Sequence, residues 1–183
     1  MNNQINKLPE NISKLIAAGE VVENPLSIIK ELVENSVDAN SKKIIVEIID
    51  GGKKFISITD DGDGINPQDI DLAFERHATS KLKTKEEIYS IKTLGFRGEA
   101  LSSIASVAHV KCTSRTKDHD YAIEIEKSFG KTIKKSNTGS NYGTQIIIER
   151  IFENTPARMK FLASNKLEAS KIQYLILAAS QSF

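Results

Sequence analysis

Two isoleucine- and valine-rich runs joined by glycines constrain this chain more than any other feature. They are KIIVEIID at 43–50 and FISITD at 55–60, with Gly51-Gly52-Lys53 between them. Runs of this length around such a turn read as an antiparallel β-hairpin. Immediately upstream, ENPLSIIKELVENSVDA predicts a helix. Asn24 is a good N-cap, Pro25 suits the first helical position, and Leu26, Ile29, Val33 and Val37 recur at three- and four-residue steps to form an apolar face. A shorter helix is expected before it, at 15–19.

Downstream of the hairpin, residues 62–98 read as loop with short helical pieces, and a helix starting near Gly98 carries EALSSIASV. Three more strands are expected at 107–115, 121–126 and 144–150, separated by turns rich in Lys, Ser, Asn and Gly. The final stretch KLEASKIQYLILAASQSF has Ile172, Leu175, Ile176 and Ala179 at helical spacing. Its pattern is still running at Phe183, so a fragment of a longer protein is expected. The order helix, hairpin, long loop, helix, meander predicts an α+β fold: a two-layer sandwich of helices on a mixed, largely antiparallel sheet.

Bulk properties exclude several classes. A net charge of +1 over 183 residues gives no whole-chain attraction to nucleic acid or membrane. Cys112 is the single cysteine, so neither an intrachain disulfide nor a Cys-rich metal site can form. The start MNNQINKLPENIS is polar, and no apolar run reaches membrane-span length, so cytoplasmic residence without membrane association is expected.

Four motifs carry candidate chemistry. Glu31, Asn35 and Asp38 share one stripe of the first long helix. There Glu31 can take a proton from water, and Asn35 offers a neutral oxygen of the kind Mg²⁺ accepts beside phosphate oxygens. A plain solvated helix face has the same spacing. Asp60 closes the strand FISITD on the side of Ile56 and Ile58, ahead of Asp61-Gly62-Asp63-Gly64. A carboxylate at the edge of an apolar pocket needs donors, and the exocyclic amino group of adenine is one. DG pairs are also ordinary turn residues, and a calcium loop is disfavoured because Leu72 occupies its twelfth position. Gly95-Phe96-Arg97-Gly98 precedes a helix whose free N–H groups suit phosphate, although a flexible glycine loop looks the same. Gly143-Thr144 opens a strand with a hydroxyl able to support Asp60 at the base, directly or through water. No GxxxxGK[ST] string occurs, which excludes a P-loop. His77 and Ser80-Lys81 lie in the loop without a second His or Cys to suggest a metal site.

The order of these motifs resembles the GHKL ATPase superfamily. Longer strings resemble the MutL family of DNA mismatch repair proteins within it: IAAGEVVENP (16–25), KELVENSVDA (30–39), RHATSK (76–81), LGFRGEALSSI (94–104), TSRT (113–116) and NTPARMKFL (154–162). The likeness runs from about residue 5 to 165. It implies that residues 1–183 are an N-terminal ATP-binding domain of Bergerat type, truncated before a second domain. Glu31 would be the catalytic base and Asn35 the Mg²⁺ ligand. Asp60 would recognise the adenine amino group, with Gly64 and Thr144 helping around the base, and Asp38 would also contact the nucleotide. Thr79, Lys81, Leu94, Gly95, Phe96, Arg97 and Gly98 would contact the nucleotide from a lid at about 76–100.

The resemblance further implies a role in DNA repair after mismatch or damage, with a MutS-type mismatch recognition protein, downstream repair enzymes and mismatched DNA as partners. It also implies an ATP-dependent homodimer of the full-length protein. Two departures stand out. Family members often carry Asn where Asp61 stands here, and a phosphate-contacting lysine is supplied in the family by a following domain. A module that binds ATP or DNA without turning ATP over is therefore the competing reading. A domain with no nucleotide site is a third. The basic positions Arg158, Lys160, Lys166 and Lys171 suit DNA phosphates or a solvated helix face equally.

Overall fold

The computed structural model describes residues 9, 22–79 and 98–181, so the short helix expected at 15–19 lies outside the described residues. The first helix, α1 (Pro25–Asp38), begins with a reciprocal cap. Asn24 Oδ1 accepts the Ser27 N–H at 2.9 Å, and Ser27 Oγ accepts the Asn24 N–H at 3.2 Å. Its buried face is Ile28, Ile29, Leu32, Val33 and Ser36. Ile29 and Val33 lie where the spacing places them, whereas Leu26 and Val37 are only partly buried. The face is rotated because α1 packs both on the sheet and against a C-terminal helix.

Strands β1 (Ile44–Ile49) and β2 (Phe55–Asp60) form the expected hairpin, turned by a short 3₁₀ segment, Asp50–Gly52. Gly51 and Gly52 both have positive φ, 67° and 82°, and a Cβ on Gly51 would stand 2.6 Å from the Asn165 carbonyl oxygen. Glycine is therefore required by both backbone and packing. Then come α2 (Ala100–Val107), β3 (His109–Arg115), β4 (Ala122–Ser128), β5 (Lys131–Thr138), β6 (Gly143–Glu149), α3 (Pro156–Phe161) and α4 (Asn165–Ser180).

The six strands form one sheet in the order β1-β2-β6-β3-β4-β5, and all five pairings are antiparallel. Helices cover one face, giving the expected two-layer α+β sandwich. Between them lie Ile28, Ile29 and Leu32 from α1, Ile56 and Ile58 from β2, Val110 and Cys112 from β3, and Ile146 and Ile148 from β6. Ile104 of α2 and Ile172 of α4 close the core.

Residues 131–138, expected as a turn, are strand β5. Their sequence KTIKKSNT lacks an apolar run because β5 is an edge strand, mostly exposed and paired only with β4. Lysines on such an edge discourage pairing with another chain.

One topological fact positions the candidate site. β6 is the last strand in the chain, yet it inserts between β2 and β3. Being antiparallel to both, it brings its first residues beside the last residues of each. Thr59 pairs with Gln145 and Ser114 pairs with Thr144, so Asp60, Thr144 and Ser114 lie in one row at the same end of three adjacent strands.

Candidate active site

Asp60 is the hub of this row. Its Oδ2 accepts the Ser36 hydroxyl at 2.8 Å, and its Oδ1 accepts the backbone N–H groups of Gly62 at 3.0 Å and Thr144 at 3.2 Å. Three donors from three chain segments hold the carboxylate in one orientation, and ionised acceptors form the stronger bonds. Ser36 lies on α1 between Asn35 and Asp38, so the helix carrying Glu31 and Asn35 is tied directly to Asp60. Glu31, Asn35 and Asp38 are all half-buried.

The glycines of the DDGDG stretch allow this close approach. Gly64 has φ 74°, and a Cβ there would lie 2.4 Å from the Arg115 carbonyl oxygen. Asp61 and Asp63 turn outward and have a structural task. Asp61 Oδ1 accepts the backbone N–H groups of Lys42 at 2.7 Å and Lys43 at 2.8 Å. These bonds, Lys43 first, hold its carboxyl below the usual carboxylate range. Asp63 accepts from the Asn40 amide at 2.6 Å. The two acids thus tie the exit of α1 to the end of β2. No group of three His, Cys, Asp or Glu side chains converges among the described residues.

Thr144 Oγ1 lies 2.8 Å from Ser114 Oγ, which also accepts the Ile65 N–H at 2.8 Å and stands 3.2 Å from the Gly143 carbonyl oxygen. Cys112 sits beneath, fully buried, and burial with the nearby Asp60 charge pushes its thiol up to about 12. It therefore stays protonated and unreactive. Ser36 and Ser114 escaped the sequence reading. Their signal was a small polar residue at an inward position: Ser36 one turn after Leu32, and Ser114 two after Cys112.

The lid region is described only at its flanks. Gly98 has φ 61°, a Cβ on it would stand 2.5 Å from the Ala78 carbonyl oxygen, and His77 Nδ1 lies 3.3 Å from Glu99 Oε1. The two flanks, including Thr79, therefore come together. Lys81, Leu94, Gly95, Phe96 and Arg97 lie outside the described residues.

A six-stranded antiparallel sheet under helices, with a donor-held aspartate at one strand end beside a helix bearing Glu and Asn, defines a class of ATPases. A sequence model of the family described as Histidine kinase-, DNA gyrase B-, and HSP90-like ATPase matches residues 23–154, and the chain belongs to this family. Within it, the chain is similar to the DNA mismatch repair protein MutL of Halothermothrix orenii, at 49% identity over 173 residues. The match covers 94% of this chain and 27% of that protein, so the chain spans about a quarter of the relative's length. The MutL ATPase domain of Aquifex aeolicus, solved in complex with ADP, superposes with a TM-score of 0.66 at 32% identity, covering 85% of this chain and 54% of that one. The N-terminal domain of a DNA repair protein superposes at 0.73, with 32% identity and coverages of 89% and 46%. The likeness to MutL expected from the sequence strings is thus shown across most of the chain.

Proposed function

We propose that this chain binds ATP with Mg²⁺ where α1 meets the strand ends carrying Asp60 and Thr144, and that it supplies the hydrolytic base of a longer mismatch repair protein. The observation that carries the reading is the Asp60 carboxylate. It is fixed by Ser36, Gly62 and Thr144 at the mouth of an apolar core, where an amino group on a flat base can donate to it. The ADP held by the Aquifex aeolicus MutL ATPase domain supports the same ligand class here.

In this reading Asp60 accepts from adenine, while Gly64 and Thr144 approach the base. Asp38 contacts the nucleotide from α1. Asn35 is suited to Mg²⁺ because that ion is usually held by one or two protein oxygens together with phosphate oxygens and water, not by an all-protein cage. When bound, Mg²⁺ neutralises charge on the phosphates. Glu31, one turn before Asn35, orients water and takes its proton. Thr79, Lys81, Leu94, Gly95, Phe96, Arg97 and Gly98 form the phosphate side.

The chain spans 54% of the Aquifex aeolicus ATPase-domain chain, and the reading therefore assigns full turnover, conformational switching and ATP-dependent dimerisation to the longer protein. Contacts with a MutS-type protein, downstream enzymes and DNA belong to the same proposal, as does residence in the cytoplasm. Among the described residues no helix is long and apolar enough to cross a membrane.

Titration with a non-hydrolysable ATP analogue and Mg²⁺ tests the reading directly. Binding below millimolar concentration is expected, and no binding at millimolar nucleotide overturns it. Glu31→Ala in the longer protein is expected to keep nucleotide binding and lower hydrolysis by about 100-fold or more. Unchanged turnover removes Glu31 as the base.

A further inference from the structure

The two edges of the sheet are unlike. β5 carries Lys131, Lys134 and Lys135, whereas β1 at the opposite edge reads Ile44-Ile45-Val46-Glu47-Ile48-Ile49, with Glu47 its one charge. The Asp61 N–H donates to the Lys43 carbonyl at 3.3 Å, and β1 pairs with β2 in unbroken register from Ile44 to Ile49. Bonded residues alternate along an antiparallel ladder. Ile45, Glu47 and Ile49 therefore turn their backbone groups to β2, and Ile44, Val46 and Ile48 turn theirs away from the sheet. Among the described residues no hydrogen bond reaches those outward groups. Ile45 and Ile49 are also 42% and 47% exposed. On the helix side, a groove beside this edge takes its apolar lining from Val33 and Val37 of α1, Ile44 and Val46 of β1, and Ile176 and Ala179 of α4. An apolar edge without lysine, proline or bulge is a template for one more strand.

We infer that β1 is an interface for a second copy of this chain, whose own β1 adds antiparallel to it about a two-fold axis through Val46. Symmetry and alternation leave few registers, because outward residues must face outward residues. Axes through Val46 and through Glu47 keep the longest overlap of the two strands. An axis through Glu47 sets the two Glu47 carboxylates against each other. An axis through Val46 instead pairs Ile44 with Ile48 and Ile45 with Glu47, and it brings the exposed Lys42 of each copy opposite the exposed Asp50 of the other. Charge thus selects the second copy as occupant and fixes its register. The added Ile44, Val46 and Ile48 continue the apolar layer over the groove, and the sheet runs on through both copies. This pairing uses no nucleotide and lies on the edge strand, so it is separate from the ATP reading above.

Sedimentation of the chain without nucleotide tests the pairing. A dimer half-dissociated at roughly 100 µM or below is expected, and a monomer at every concentration up to about 1 mM overturns the inference. Two substitutions at one exposed position then read the register. Ile45→Glu sets a carboxylate opposite Glu47 at both symmetry-related sites and is expected to weaken the dimer about tenfold. Ile45→Lys sets an ammonium there and is expected to keep the dimer or tighten it. A contact made only through apolar surface is weakened by both, and a dimer formed elsewhere on the molecule is weakened by neither. Either of those results overturns the assignment. Should Ile45→Glu fail to fold, hydrogen exchange of the wild-type chain decides. The amides of Ile44, Val46 and Ile48 are expected to exchange about tenfold more slowly in the dimer than in the dilute monomer. Equal exchange of those three amides at both concentrations removes β1 as the interface.

Discussion

Asp60 accepts three hydrogen bonds and has room for a fourth from a ligand, so its charge matters more than its volume. Asp60→Asn converts one acceptor oxygen into a donor that faces backbone N–H groups or the Ser36 hydroxyl. ATP affinity is expected to fall about 10- to 100-fold, measured by calorimetry, because hydrogen bonds to charged groups contribute about 1.5–3 kcal/mol. Gly143 is constrained in a different way. Its φ is 102°, and a Cβ would stand 2.0 Å from the Asp60 carbonyl oxygen. Gly143→Ala therefore combines backbone strain with a clash against main chain, and a loss of about 3 kcal/mol in denaturant unfolding is expected. A loss under 1 kcal/mol would show that the start of β6 can move away from β2. At this scale the sequence singles out Asp60, Gly64, Gly143 and Thr144 as candidates, although DG pairs are also ordinary turn residues, and the structure brings Asp60, Gly143 and Thr144 together. Ser36 and Ser114 were not singled out. A serine at an inward position says nothing of its partner until three strands and a helix are assembled around it.

Capping and edge chemistry act at the level of elements. Asn24 and Ser27 satisfy each other's backbone N–H groups at the start of α1, and Asn24→Ala is expected to cost about 1 kcal/mol. Because α1 carries Glu31, Asn35 and Ser36, nucleotide affinity should weaken along with stability. On the open face of the sheet, Glu124 of β4 is buried between Lys111 of β3 at 2.8 Å and Lys134 of β5 at 2.9 Å. The hydrogen bonds from Lys111 and then Lys134 hold its carboxyl below the ordinary carboxylate value, while Glu124 in turn raises Lys134.

A carboxylate depressed in the folded state contributes stability above its unfolded value, near 4.5, and loses that contribution as pH falls through the folded value. Glu124→Gln should accordingly be less stable than wild type at pH 7 and approach it as the pH falls below the unfolded value near 4.5. Parallel unfolding curves across that range would remove the network as an acid-sensitive element. α1, α2, α4, the two strands of the hairpin and three of the other four strands could be read from apolar spacing and turn residues. β5 could not, since an edge strand answers to solvent on one side and carries lysines where a central strand carries isoleucine.

At the scale of the whole molecule, ligand and fold are linked through the contact between α1 and Asp60. Nucleotide that binds only the folded chain stabilises it by about 2.7 kcal/mol at 100 times its dissociation constant. For a chain of this size that corresponds to a rise of roughly 5–10 °C in the unfolding midpoint, observable by scanning fluorimetry with ATP and Mg²⁺. No shift at saturating nucleotide would separate the cleft from the stability of the sheet.

What the sequence determined by itself was local. Apolar periodicity set α1, the hairpin, α2 and α4, the DxGxG and Gly-Thr stretches marked a candidate site, and the long strings identified the family. The tertiary structure alone decided which of these meet. Insertion of β6 between β2 and β3 puts residues 60, 144 and 114 in one row, although 84 positions separate Asp60 from Thr144 along the chain. Strand order is a property of the assembled sheet, and no local propensity encodes it.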